Sequence, residues 1–135
     1  MTVRHVHESE VPGERARAPN SRTLKHLAAP WTLGTRRLWV GLSEIDPGSS
    51  SNVQSHESEE VFYVVSGEGV VEVEGESQEV VAGSVVVVPS RARHRLVNPG
   101  GKALKVLCSA APAFERDDFD RHHLLPGATG EVETG

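Results

Sequence analysis

The side chains in this chain best suited to chemistry are His56, Glu60 and His94, with Gln54 two positions before the first histidine. Imidazole nitrogens and carboxylate oxygens are the donors from which many divalent metal sites are built. Side chains alternate faces along a strand, so Gln54 and His56 point the same way. Glu60 opens the following strand, and His94 lies on a later one, beyond the turn at Pro89. Residue type alone selects no set, because the chain holds 7 histidines and 19 acidic residues. Glu57 and Glu59 flank His56, and a slip of one position would bring Glu59 to the place of Glu60. Both read as solvated loop charges.

Short strands must position these groups. Glycine is frequent at 13, proline at 8, and valine runs recur, a composition of strands joined by tight turns. The strands are predicted over 36–45, 60–66, 70–74, 78–81, 85–88, 93–97 and 102–110, with an extended stretch at 54–56. An earlier strand is expected within 23–35. Turns fall at Asp46-Pro47-Gly48, Gly67, Gly75, Gly83 and Asn98-Pro99-Gly100-Gly101. The run 85–88 is continuously apolar and is expected to be covered on both faces. Residues 1–22 read as a flexible N-terminal arm, 23–112 as a single β-domain, and 113–135 as a C-terminal arm or tail. A short helix is possible within 114–125, and disorder is expected over 126–135. Even spacing of many short strands argues an all-β sandwich or barrel.

The spacing of the motif residues resembles the cupin superfamily. Gly48, five residues, Gln54, one residue, His56, three residues, Glu60, six residues and Gly67 are similar to its first motif. Gly83, five residues, Pro89, Ser90, Arg91, two residues, His94, three residues and Asn98 are similar to its second. The likeness runs over about residues 36–110. It departs at Gln54, where the family usually has histidine, and at Arg91, where it usually has glycine. The resemblance implies a cupin-like double-stranded β-helix, a jelly-roll barrel. It also implies one divalent metal ion (Zn, Fe, Mn or Ni) held by Gln54, His56, Glu60 and His94. A glutamine carbonyl is a harder and weaker ligand than imidazole. The rival is a barrel that has lost its metal and keeps His56 and His94 as packed residues.

If the strands are regular, Phe62 and Val64 share the face of Glu60, and Leu96 that of His94. With Trp39 they are expected to line a substrate pocket, and Arg91, in the turn, to reach its mouth. Arg93 and Arg95 then face outward, as does Tyr63. The lone Cys108 permits no intrachain disulfide and reads as a buried thiol. His5, His7, His26, His122 and His123 read as surface residues, with a weaker alternative in which a tail histidine closes over the pocket.

The charge of −5 has the wrong sign for a nucleic-acid surface. No stretch approaches the roughly 18 apolar residues of a membrane span. A cytoplasmic protein without nucleic-acid or membrane partners is expected, acting on a small molecule and forming a homodimer. Fold does not fix reaction. The resemblance implies a metal-dependent enzyme in which the metal polarises a carbonyl or enolate oxygen, for isomerisation, cyclisation, elimination or rearrangement, or activates dioxygen. The alternative is a non-catalytic module that binds or senses a small ligand. A base near the metal would separate the two, and the sequence offers only Tyr63 or Glu57.

Overall fold

The computed structural model describes residues 2–123, with side chains to residue 120. Among the described residues, nine strands form two sheets. They are β1 (Glu14–Ala16), β2 (Arg22–Ala28), β3 (Trp39–Ile45), β4 (Glu59–Ser66), β5 (Glu68–Val73), β6 (Glu76–Val81), β7 (Val85–Val88), β8 (His94–Val97) and β9 (Leu104–Ala111). One sheet has the order β1-β2-β3-β9-β4-β7 and the other β6-β5-β8, with antiparallel pairing throughout. This is a jelly-roll barrel, as the motif spacing implied.

Alternation sets the barrel's interior. Glu60, Phe62 and Val64 of β4 are buried, and Val61, Tyr63 and Val65 are exposed. Leu104, Val106, Cys108 and Ala110 of β9 are buried beside them. The two strands therefore present one continuous inner face. Ile45, Val64, Val71, Val88, Leu104 and Val106 are nearly inaccessible to solvent and form the apolar part of the core.

Three local outcomes differ from the sequence expectation. Of residues 1–22, expected to be loose, the described part is docked on the barrel: β1 pairs with β2, and Lys105 meets the Glu8 carboxylate at 2.8 Å. The run β7 is not covered on both faces, since Val85 is 62% and Val87 57% exposed. Among the described residues it is an edge strand whose outward side is left open. The strand expected from residue 36 begins at Trp39. The region expected as a short helix holds α1 (Arg116–His123), and 126–135 lies outside the described residues.

Trp39 reaches across its own strand. Its indole lies over Gly41, where an added methyl would overlap the six-membered ring. Glycine is needed there for close approach. Gly41→Ala is expected to displace the indole and destabilise the protein by about 1–3 kcal/mol. Urea melts followed by tryptophan fluorescence would register both changes, and an unchanged midpoint would refute the packing role.

Candidate metal centre

Two backbone carbonyls aim the histidines. His94 Nδ1 lies 2.8 Å from the Ala92 oxygen, and His56 Nδ1 lies 3.0 Å from the Ser58 oxygen. A carbonyl oxygen only accepts, so each Nδ1 carries the hydrogen. In the neutral ring, Nε2 is then a bare acceptor. Both Nε2 atoms turn toward one carboxylate oxygen: Glu60 Oε1 is 3.0 Å from His56 and 3.5 Å from His94. All three side chains are buried, and these three atoms have no hydrogen-bond partner.

Three converging acceptors in a low-dielectric interior repel one another unless positive charge lies among them. The ligating atoms of His56, Glu60 and His94 lie within 4.8 Å of one another, so a single cation can serve all three. Two imidazoles and a carboxylate suit Zn, Fe, Mn or Ni. The carbonyls of Ser58 and Ala92 that hold the Nδ1 hydrogens fix the tautomer a metal-binding histidine requires. Burial acts to raise the Glu60 pKa; positive charge carried by the two imidazoles outweighs it and brings the value down to about 2, the same service a cation among the three atoms would perform. Glu60 is therefore ionised at neutral pH.

Gln54 stands beside this group, bridged through its backbone to His94. Its Nε2 lies 3.4 Å from Asn52 Oδ1, which also accepts from Arg22 at 2.9 Å. With the amide nitrogen directed there, Oε1 is the end suited to a metal or a bound ligand. Gln54, Glu60 and His94 line one cavity with Trp39, Phe62 and Leu96. Cys108 also lines it. Burial, reinforced by Glu60, pushes the thiol pKa well above its usual value, so Cys108 is neutral.

Residues 41–110 match the family model of the cupin domain. The chain belongs to the cupin family. It is 31% identical to the polyketide synthase CurC of Streptomyces cyaneus, over 83% of this chain and 71% of the relative. It is 32% identical to an uncharacterized protein of Methanocaldococcus jannaschii, over 54% of this chain and 59% of that protein. The chain thus spans about three fifths of the length of that relative. Its fold is similar to that of the polyketide cyclase RemF from Streptomyces resistomycificus, with a TM-score of 0.72 at 23% identity, covering 96% of this chain and 98% of that one.

In this cupin the C-terminal segment plugs the barrel. Phe114 packs edge-on against His56, with ring centroids 4.9 Å apart, and against Trp39 at 4.8 Å. Phe119 of α1 packs on His26 at 4.6 Å. Both phenylalanines line the cavity, whose open space of about 30 Å³ has room for about two waters. Arg116 latches the plug: it pairs with Glu14 of β1 and with Asp120, and stacks over Trp31.

His26 completes the latch. Trp39 Nε1 donates to its Nδ1 at 3.1 Å, and its Nε2 faces Glu14 at 2.7 Å. Glu14, His26 and Asp120 cluster closely enough to suggest a second cation site. Arg116 already supplies the positive charge to both carboxylates. Burial holds the His26 pKa below its usual 6.5, against the opposing pull of Glu14. The unfolded chain therefore takes up a proton near pH 6.5 that the folded chain refuses, and stability falls as pH drops below that value. His26→Gln keeps an acceptor for Trp39 and a donor for Glu14. It is expected to flatten this acid-side loss in thermal melts between about pH 6.5 and 5. A slope identical to wild type would remove His26 as the source.

The structure brings His56, Glu60 and His94 together, with Gln54 bridged to His94 through the backbone; Gln54, Glu60 and His94 line a cavity with Phe62, Leu96 and Trp39, and His56 is not among its lining residues. Val64 is buried in the apolar core and is not among the lining residues. Arg91 is exposed in the turn, with a left-handed φ of +68°, and does not line the cavity. Tyr63 and Glu57, the candidate bases, are exposed and away from it. Sequence reasoning missed Arg22, His26, Phe114 and Phe119. The first two share an alternating face with buried Leu24, which was the available signal. The side chains of His122 and His123 lie outside those described.

Proposed function

We propose that this cupin is a metal-dependent enzyme acting on a small organic molecule with an enolisable carbonyl, by non-redox cyclisation or rearrangement. The observation that carries this reading is the convergence of His56 Nε2, His94 Nε2 and Glu60 Oε1 as buried, unpartnered acceptors. His56, Glu60 and His94 would hold one divalent ion, with Gln54 at the fourth position. When bound, the metal polarises a carbonyl or enolate oxygen. The chain's own part is to bind and orient. Trp39, Phe62 and Leu96 exclude water and restrict a flat substrate to few poses. Gln54 offers an amide oxygen to the metal or to the substrate. The 31% identity with the polyketide synthase CurC supports a polyketide-type carbonyl compound as substrate.

The first test is elemental analysis of untagged protein beside His56→Ala and His94→Ala. About one equivalent is expected in wild type and roughly a tenth or less in each variant. The second follows deuterium exchange at the α-carbon of pentane-2,4-dione by NMR. Metal-loaded protein is expected to exceed free metal by about tenfold or more. Metal bound without acceleration would leave a ligand-binding module.

A homodimer belongs to the same proposal. Val61, Tyr63, Val65, Val85 and Val87 form an exposed apolar strip on the outward side of β4 and β7, and such a strip favours burial against a partner. Light scattering that gives a strict monomer would remove it.

A further inference from the structure

An arginine side chain carries donors only, and in this barrel that fact orients two buried amides in turn. Arg22 Nη1 donates to Asn20 O at 3.0 Å, and Nη2 donates to Asn52 Oδ1 at 2.9 Å. The end of the Asn52 amide that faces Arg22 is therefore its oxygen. Gln54 approaches the same oxygen at 3.4 Å. The end of the Gln54 amide that does so is therefore its nitrogen, since the reverse would set oxygen against oxygen. The contact is long for a hydrogen bond. Its polarity, rather than its strength, decides the orientation.

The backbone leaves these amides little other freedom. Gln54 and His94 exchange both main-chain hydrogen bonds, each at 2.9 Å. Ser51 N donates to Leu96 O at 2.8 Å, and Leu96 N donates to Ser51 Oγ at 2.9 Å. That hydroxyl in turn donates to Asn52 O at 3.1 Å. Residues 51–54 thus lie along β8, where Asn52 and Gln54 share one buried face. Among the described residues no donor meets Gln54 Oε1. This oxygen is the acceptor that Gln54 brings to the cavity it lines with Glu60 and His94.

We propose that Asn52, itself oriented by Arg22, is a positioning residue for the metal centre: it keeps the oxygen of Gln54, and never the NH2 group, toward an ion held by His56, Glu60 and His94. The role rests on the metal reading above. The two ends of an amide differ in sign. The oxygen is a neutral, hard donor to a cation, whereas the NH2 group turns its hydrogens toward the charge and offers no acceptor. A glutamine free to turn over would lose affinity in proportion to the time spent the wrong way round. Asn52 makes Gln54 a fixed acceptor.

The test is a double-mutant cycle on zinc affinity, read by competition with a chromophoric chelator. Asn52→Leu removes the acceptor at similar volume. It is expected to weaken zinc binding by about tenfold or more, the usual cost of losing a ligand's own partner. Gln54→Leu removes the ligand and is expected to weaken binding at least as much. In the Gln54→Leu background, Asn52→Leu is expected to change affinity by less than about twofold, because nothing is left to position. A merely structural role would carry the full loss into that background, and that result overturns the proposal. So does an Asn52→Leu variant that binds zinc as wild type does. Gln54→Leu with wild-type affinity removes Gln54 from the ion and Asn52 from its role, while the triad stands. A wild type that takes up no zinc overturns the metal reading itself, and the positioning role falls with it. Should Asn52→Leu fail to fold, Asn52→Ser, shorter and still polar, carries the same cycle, with the same results overturning the proposal.

Discussion

Glu60→Gln is expected to abolish metal uptake and yet leave the metal-free protein as stable as wild type or more so. In the metal-free wild type, an ionised carboxylate oxygen lies 3.0 and 3.5 Å from two imidazole nitrogens that have no hydrogen of their own when neutral. Relief requires a proton on one ring or a cation between them. A glutamine amide brings its own hydrogens to His56 and His94 Nε2 and removes the buried charge. It also removes the anionic donor that a divalent ion needs. Wild type should therefore gain stability on addition of Zn, by about 2.7 kcal/mol at a hundredfold excess over Kd. Glu60→Gln should gain nothing. Thermal melts in EDTA and in Zn, paired with elemental analysis, read both halves. A variant that unfolds in EDTA would show that Glu60 serves the core rather than a metal.

The second large effect is expected at Asn98, the last residue of the second motif. Its Nδ2 donates toward Ile45 O at 3.0 Å, Asp46 O at 3.3 Å and Lys102 O at 2.7 Å, and its Oδ1 accepts from Gly100 N at 3.2 Å. The side chain is 1% exposed. It ties the end of β3 to the turn between β8 and β9. Asn98→Ala leaves buried carbonyls without donors, each costing about 1–3 kcal/mol. A total loss of about 3–5 kcal/mol is expected. Asn98→Asp should be at least as damaging, because a carboxylate would face the same carbonyl oxygens. Urea denaturation with an unchanged slope measures it, and a loss below about 1 kcal/mol would show that water replaces the amide.

Much of the inner face was legible because period-2 alternation is a local property. Glu60-Phe62-Val64 inward and Tyr63 outward follow from β4 alone. The docked N-terminus was not legible. Glu14-Arg15-Ala16 is short and polar, and it is a strand only because residues 22–24 lie beside it. Arg22 was hidden for a related reason. An arginine at a strand start reads as solvated, and only the closed barrel buries it. The plug formed by Phe114 and Phe119 depends on contacts with β2 and β3 that are far away in sequence. The motif spacing grouped Gln54, His56, Glu60 and His94. It carried no information on what stands opposite them.

The aromatic plug also sets a toll on affinity. A ligand larger than a few waters binds only those molecules in which Phe114 and Phe119 have withdrawn, so its apparent Kd is the intrinsic value divided by the open fraction. A barrel open one time in a hundred binds about a hundredfold more weakly than its contacts would allow. The Glu14–Arg116 pair holds α1 to β1 from outside the cavity, so weakening it would raise that fraction. Substitutions there would tighten or loosen every ligand alike, while leaving the ranking among ligands untouched.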